Sequence, residues 1–192
     1  MTREKLVKAQ RYAKKQHRCQ LRKDERTPYW FHLRQVVRNL SDIGIKDNDI
    51  LCAGWLHDTI EDTDTDYDDL EKKFGKRVAR IVVQVTKDKT LPQREKERKF
   101  CEKLSGASWE AQAVKLCDLW ANLADLRSGY KDERKKKEQI GKKMKYFAAI
   151  RNGLLEHSSL MPSLNAGFDE VDKILNYYKM KTLFPYHFNR VS

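Results

Sequence analysis

Apolar residues recur along this chain at helical spacing. Val78, Ile81, Val82 and Val85 stand at i, i+3, i+4 and i+7, Val36, Val37 and Leu40 share one face, and Leu116, Leu119, Leu123 and Leu126 repeat every three or four positions. No comparable stretch alternates with the period of a strand, so the pattern predicts an all-α chain, a helical bundle of roughly 8–10 helices. Internal repeats are absent, and no linker-like segment divides residues 1–192 into two domains.

Breakers and capping residues place the helix ends. A first helix is expected over Arg3–Cys19, followed by a charged turn, Arg22–Thr27; Pro28 then starts a second helix. Asp47 and Asn48 cap a third, Asp49–His57. Asp68–Phe74 closes at Gly75 and Arg77–Val85 follows. Pro92 opens a highly charged helix to Leu104, and Trp109–Arg127 forms the next. After Gly129 comes the basic stretch Lys131–Lys145, then a helix through Leu155 and a last one over Phe168–Met180.

Charge alters the picture next. Forty Lys and Arg against 28 Asp and Glu leave a net charge of +12, which favours a polyanionic partner. Yet between His57 and Glu71 lie eight acids, Asp58, Glu61, Asp62, Asp64, Asp66, Asp68, Asp69 and Glu71, with no Lys or Arg. Such a run repels phosphate unless cations sit among the acids. The amino terminus lacks a secretory apolar core, and no run approaches the ~18 apolar residues of a membrane span, so a cytoplasmic protein without a membrane partner is expected. The cysteines Cys19, Cys52, Cys101 and Cys117 form no Cys-x-x-Cys pair and read as reduced and mostly buried.

The acidic run begins with His57-Asp58, and on a continuous helix Glu61 and Asp62 fall one turn beyond them. His32 lies one turn before Val36, and Asp118 interrupts the apolar Val114, Leu116, Cys117, Leu119 and Trp120, where an unpaired carboxylate is costly. Asn122 and Asp125 continue its polar face. Taken singly, His32 reads as a core-edge histidine and Asp118 as a packing polar residue. Together, two imidazoles and two carboxylates completed by water suit one octahedral divalent ion, Mn(II) or Fe(II), with Zn(II) left open. Such an ion lowers the pKa of water, Glu61 or Asp62 takes the proton, and Arg22, Lys23 and either Lys87 or Lys89 counter phosphate charge.

Arg22-Lys23-Asp24, Thr27-Pro28-Tyr29 followed by His32, Leu56-His57-Asp58-Thr59-Ile60-Glu61-Asp62-Thr63, Phe74-Gly75, Asp88-Lys89-Thr90-Leu91-Pro92 and Val114-Lys115-Leu116-Cys117-Asp118 with Asn122-Leu123 appear in that order. This ordered set resembles the HD phosphohydrolase superfamily, and within it the RelA/SpoT alarmone hydrolases, above all the small stand-alone metazoan SpoT homologues. The resemblance runs from about Ala9 to Leu155 and leaves residues 156–192 as a carboxy-terminal helical extension of a single HD domain. It implies a metal set of His32, His57, Asp58 and Asp118, the ion usually manganese, with Glu61 and Asp62 acting on the water. It further implies that Arg22 and Lys23 hold purine and phosphate and that Asn122 faces the ribose; Lys89 joins the substrate contacts. The reaction implied is removal of the 3′-pyrophosphate of ppGpp or pppGpp, giving GDP or GTP. Hydrolysis alone is expected, since 192 residues leave no room for a synthetase domain. Two positions depart from the pattern, Leu33 where Pro is usual and Phe31 where Asn is common, and both bear on the substrate pocket rather than the metal.

Two alternatives stand beside this reading: another HD nucleotide phosphohydrolase, such as an NADPH 2′-phosphatase, and a nucleic-acid-binding protein with a vestigial site. The second rests on Lys131–Lys145, eight cations against three acids with Tyr130 and Tyr146 at its edges. A solvated helix face or a mobile loop is the simpler account of that stretch. Intact candidates for each metal and acidic role argue against a vestige and for a small guanosine polyphosphate over nucleic acid. His17, His157 and His187 read as surface, capping or packing residues, and Tyr177, Tyr178, Phe184, Tyr186 and Phe188 as a packing seam or subunit contact. The oligomeric state is not legible.

Overall fold

Val78, Ile81, Val82 and Val85 lie on one buried face of a helix in the computed structural model, which describes residues 2–126 and 132–183. The helices are α1 (Thr2–Gln16), α2 (Trp30–Asp42), α3 (Asn48–Leu56), α4 (Thr59–Asp62), α5 (Tyr67–Phe74), α6 (Lys76–Val85), α7 (Gln93–Ser105), α8 (Trp109–Ala124), α9 (Glu133–Glu156) and α10 (Leu164–Tyr177), with a 3-10 turn, Ser158–Leu160, before the last. Among the described residues the one extended pairing is an isolated bridge between Leu21 and Pro28. The architecture is therefore all-α, as the periodicity predicts.

Helices α3 and α8 form the centre. Ile50 through Leu56 are buried on every side of α3, and α8 is buried from Ala111 to Leu119, the signature of helices surrounded by others. Around them, α1, α2 and α6 pack on α3, while α2, α6, α9 and α10 pack on α8. Helices α2 and α3 meet closely at Gly54, where a Cβ would stand 2.7 Å from Leu40 Cδ1 and 3.1 Å from Val37 Cγ2. Only glycine admits that approach, which brings His32 and His57 to the same end of the bundle. Gly44, at φ +98°, ends α2 in the left-handed region, with Ile45 N–H returning to the Leu40 carbonyl. Asp47 caps α3 through the amides of Asp49 and Ile50, as its position predicts.

Several ends differ from expectation. Helix α1 stops at Gln16 rather than Cys19, and α10 begins at Leu164 rather than Phe168. The basic stretch is not a segment ahead of a helix: from Glu133 onward it is the first half of α9. Asp132 caps it, Lys136 pairs with Glu133 at 2.6 Å and Lys142 with Glu138 at 3.1 Å, so high helix propensity and one-turn pairs carry the helix through Gly141. The expected helix end at Arg127, with Gly129, Tyr130 and Lys131, lies outside the described residues, as do Phe184, Tyr186, His187 and Phe188. Of the carboxy-terminal tyrosines, Tyr178 is buried and Tyr177 exposed. All four cysteines are unpaired, Cys52 and Cys117 buried, Cys101 half-buried and Cys19 exposed. No helix among the described residues is long and apolar enough to cross a membrane.

Candidate metal centre

Three separate elements supply the polar cluster: His32 from the first turn of α2, His57 and Asp58 from the turn between α3 and α4, and Asp118 from the middle of α8. The third helix ends close to the expected His57, so the one-turn spacing of His57-Asp58-x-x-Glu61-Asp62 runs across a break between two helices. Helix α3 ends at Leu56, Asp58 sits at φ −100°, ψ −2°, and α4 restarts at Thr59. Thr59 Oγ1 takes the Leu56 carbonyl at 2.7 Å, satisfying a helix-end acceptor that the next turn no longer reaches. The turn spacing survives, since Asp62 N–H still donates to the Asp58 carbonyl at 2.8 Å.

The four side chains converge. His32 Nε2 lies 3.1 Å from Asp118 Oδ1 and 3.7 Å from Asp58 Oδ2; His57 Nε2 lies 2.9 Å from Asp58 Oδ2 and 3.6 Å from Asp118 Oδ1. The donor atoms of His32, His57 and Asp118 all fall within 4.8 Å of one another. Ligands sharing an ion at about 2.1 Å stand about 3 Å apart when adjacent, so the separations among His32, His57 and Asp118 fit a common cation, with Asp58 adjoining the group through the two histidines. His57 Nδ1 donates to the Gly54 carbonyl at 2.9 Å, which leaves its Nε2 lone pair facing the carboxylates. Both ring nitrogens of His32 and Nε2 of His57 are buried without a well-formed hydrogen bond. Buried imidazole nitrogens in that condition, aimed between two carboxylates, are suited to a metal.

Electrostatics points the same way. Burial works against a charged His57, yet Asp58 and Asp118 push its pKa up to about 10. Burial favours neutral acids at Asp58 and Asp118, but His57 pulls the first down and Lys115, with the two histidines, holds the second well below the usual carboxylate range. At His32 burial prevails and lowers the pKa. The pocket thus stabilises positive charge between two ionised carboxylates, the charge that a divalent ion supplies.

Neighbouring groups fix the carboxylates. Tyr29 Oη donates to Asp58 Oδ2 at 2.6 Å, its ring stacked on buried His17 and edge-on to His32. Lys115, buried one turn before Asp118, donates to Asp118 Oδ2 at 2.7 Å, and Asn122 Nδ2 reaches Oδ1 at 2.5 Å. Neither Tyr29 nor Lys115 was assigned a role by sequence, although each stands three residues from a cluster member, the spacing that places side chains on one helical face. Among the other predicted residues, Glu61 Oε2 accepts from Lys87 N–H at 3.0 Å, and burial raises its pKa. Asp62 pairs with Lys89 at 3.0 Å. Arg22 binds Asp125 at 2.7 Å and Asn122 at 3.2 Å. Its guanidinium carbon lies 5.4 Å from the Tyr29 ring centroid. Lys23 follows Arg22 in a loop tied by Asp24 to Thr27, and burial lowers its pKa, with Arg22 and Lys142 adding to the effect. Of the two departures, Leu33 is core and Phe31 stacks on Trp30 near the surface.

The chain as a whole is similar to known proteins. The HD domain family profile matches residues 9–152. The guanosine-3′,5′-bis(diphosphate) 3′-pyrophosphohydrolase MESH1 of Xenopus tropicalis is 38% identical over 163 residues, covering 79% of this chain and 91% of the relative. The human protein of the same name is 47% identical over 123 residues, 63% of this chain and 69% of the relative. A solved structure, described as a metazoan ortholog of SpoT that hydrolyses ppGpp and plays a role in starvation responses, superposes with a TM-score of 0.78 at 32% identity, covering 92% of this chain and 97% of that one. With the profile spanning most of the chain and these relatives matched along most of their own length, the chain belongs to the HD domain family, among its small SpoT-type pyrophosphohydrolases.

Proposed function

We propose that this protein hydrolyses the 3′-pyrophosphate of guanosine tetra- and pentaphosphate, ppGpp and pppGpp, to GDP or GTP and pyrophosphate, with Mn(II) held by His32, His57, Asp58 and Asp118. The observation that carries the reading is the convergence of two unbonded imidazole nitrogens on two ionised carboxylates at one end of the bundle. When bound, a divalent ion supplies a lowered pKa to water and neutralises phosphoryl oxygens.

The chain's own residues have separable parts. Glu61, fixed through Oε2 by the Lys87 amide, has Oε1 available to accept a proton from the attacking water, and its raised pKa brings it nearer to neutral pH as a base. Asp62, next in sequence, is held by Lys89 and Gln20. The water oxygen bonds to phosphorus as the bond to the ribose 3′ oxygen breaks, and that oxygen takes a proton as GDP leaves. Lys23, Lys87 and Lys89 offset phosphate charge, Arg22 over Tyr29 offers a face to the purine, and Asn122, joined to both Arg22 and Asp118, links the ribose side to the metal. Mixing the Mn(II)-loaded protein separately with ppGpp, NADPH and deoxynucleoside triphosphates tests the reading. Pyrophosphate and GDP from ppGpp are expected; orthophosphate from NADPH with intact ppGpp contradicts it.

A further inference from the structure

Lys143 lies on the inward stripe of α9. Ile140, Phe147, Ile150 and Leu154, which share that stripe at helical spacing, are all buried, and the helix packs against α8 and α7. An apolar side chain is the ordinary occupant of such a position. Instead an ammonium stands there, one turn before Tyr146, whose ring centroid lies 4.6 Å from Lys87 Nζ and 5.3 Å from Lys115 Nζ, so this part of α9 faces Lys115 and the Asp118 it pairs with. It cannot rely on Asp118 for a bond, because Lys115 occupies Oδ2 and Asn122 occupies Oδ1, with His32 Nε2 3.1 Å from the same oxygen. Among the described residues Lys143 makes no hydrogen bond or ion pair, whereas the adjacent Lys142 pairs with Glu138. Burial and the surrounding cations push its pKa down to about 8, so the group is still largely charged at neutral pH. A half-buried cation among like charges, without an acid of its own, is relieved by a multiply charged anion.

Resting on the function proposed above, we infer that Lys143 is a specificity-determining residue that holds the pyrophosphoryl group on the α9 side of the metal cluster. The field it shares is that of Asp118, one of the proposed ligands of the ion. Arg22, by contrast, is bound to Asp125 and lies against Tyr29, on the side assigned to the purine. Part of the basic run of α9 therefore belongs to the substrate site, while Arg134, Lys135 and Lys137 on its first turns face solvent.

The test compares wild type, Lys143→Met and Lys143→Arg as full-length, Mn(II)-loaded proteins at matched free metal. With ppGpp, Lys143→Met is expected to raise KM about ten-fold with kcat within about two-fold, and Lys143→Arg to recover most of the loss. Direct titration with inorganic pyrophosphate should show the same weakening, while GDP binding stays unchanged. Unchanged pyrophosphate affinity in Lys143→Met overturns the inference, as does equal weakening for pyrophosphate and GDP, or a failure of Lys143→Arg to recover binding. The pyrophosphate titration reads out even if wild type fails to turn over ppGpp, which separates failure of this inference from failure of the proposed reaction. A melting curve for each variant checks that the fold is retained.

Discussion

Replacing Tyr29 with Phe removes one oxygen and leaves the ring that packs on His17 and His32. That oxygen donates to Asp58 Oδ2 at 2.6 Å, within the short range of charge-assisted O–H···O⁻ bonds. Such bonds to ionised groups contribute about 1.5–3 kcal/mol. The Asp58 side chain is 18% exposed, so water replaces part of the lost bond and the lower figure applies. About 1.5 kcal/mol corresponds to about a tenfold change in an equilibrium constant. With Asp58 among the proposed ligands, Mn(II) affinity should fall by about tenfold, within the range seen when outer partners of ligands are removed. Calorimetric titration of Mn(II) into chelator-stripped wild type and Tyr29→Phe measures it, with thermal melts of both metal-free proteins alongside. The reasoning is refuted if the affinities agree within a factor of two, or if the variant loses metal only because its metal-free fold melts many degrees lower.

Other expectations follow from the same geometry. Asp118→Ala should abolish both Mn(II) retention, read by elemental analysis, and pyrophosphate release. Lys115→Met leaves a buried carboxylate without its ammonium; breaking a buried pair costs about 3–5 kcal/mol, and urea unfolding of the metal-free proteins should show a loss of that order. Glu61→Gln should bind Mn(II) normally but lower kcat by about 10²–10⁴. As the proposed base Glu61 must be ionised, and burial raises its pKa, so wild-type activity should be full above that pKa and decline as pH falls through it, at a pH above the ordinary glutamate value of 4.5. A kcat/KM profile of Glu61→Gln that kept this acid limb would assign the limb to another group. Gly54→Ala forces a methyl to within 2.7 Å of Leu40 Cδ1, and a cost of about 1–3 kcal/mol should appear in the same urea assay.

The core helices were legible because their apolar residues repeat with the helical period and local caps mark their starts, as at Asp47 and Val78–Val85. The cluster was legible because polar residues in apolar surroundings, Asp118 above all, demand partners. What escaped depends on tertiary contact. The break between Leu56 and Thr59 follows from a hydroxyl capping a carbonyl, and periodicity has no signal for it. Tyr29 and Lys115 stand in the motifs without a role, and only the fold places them against Asp58 and Asp118. In the basic stretch, average charge concealed two environments: Lys135 is exposed while Lys143, two turns later, is drawn into the field of the cluster. Linear charge density does not distinguish the faces of a helix whose orientation is unknown.

The most direct test of the account couples metal content to turnover. Protein stripped with chelator should release no pyrophosphate from ppGpp, and adding one equivalent of Mn(II) should restore release in wild type but not in folded Asp58→Ala. Undiminished release after verified metal removal, or wild-type-like turnover by Asp58→Ala, would contradict the central claim that His32, His57, Asp58 and Asp118 hold the ion on which this hydrolase depends.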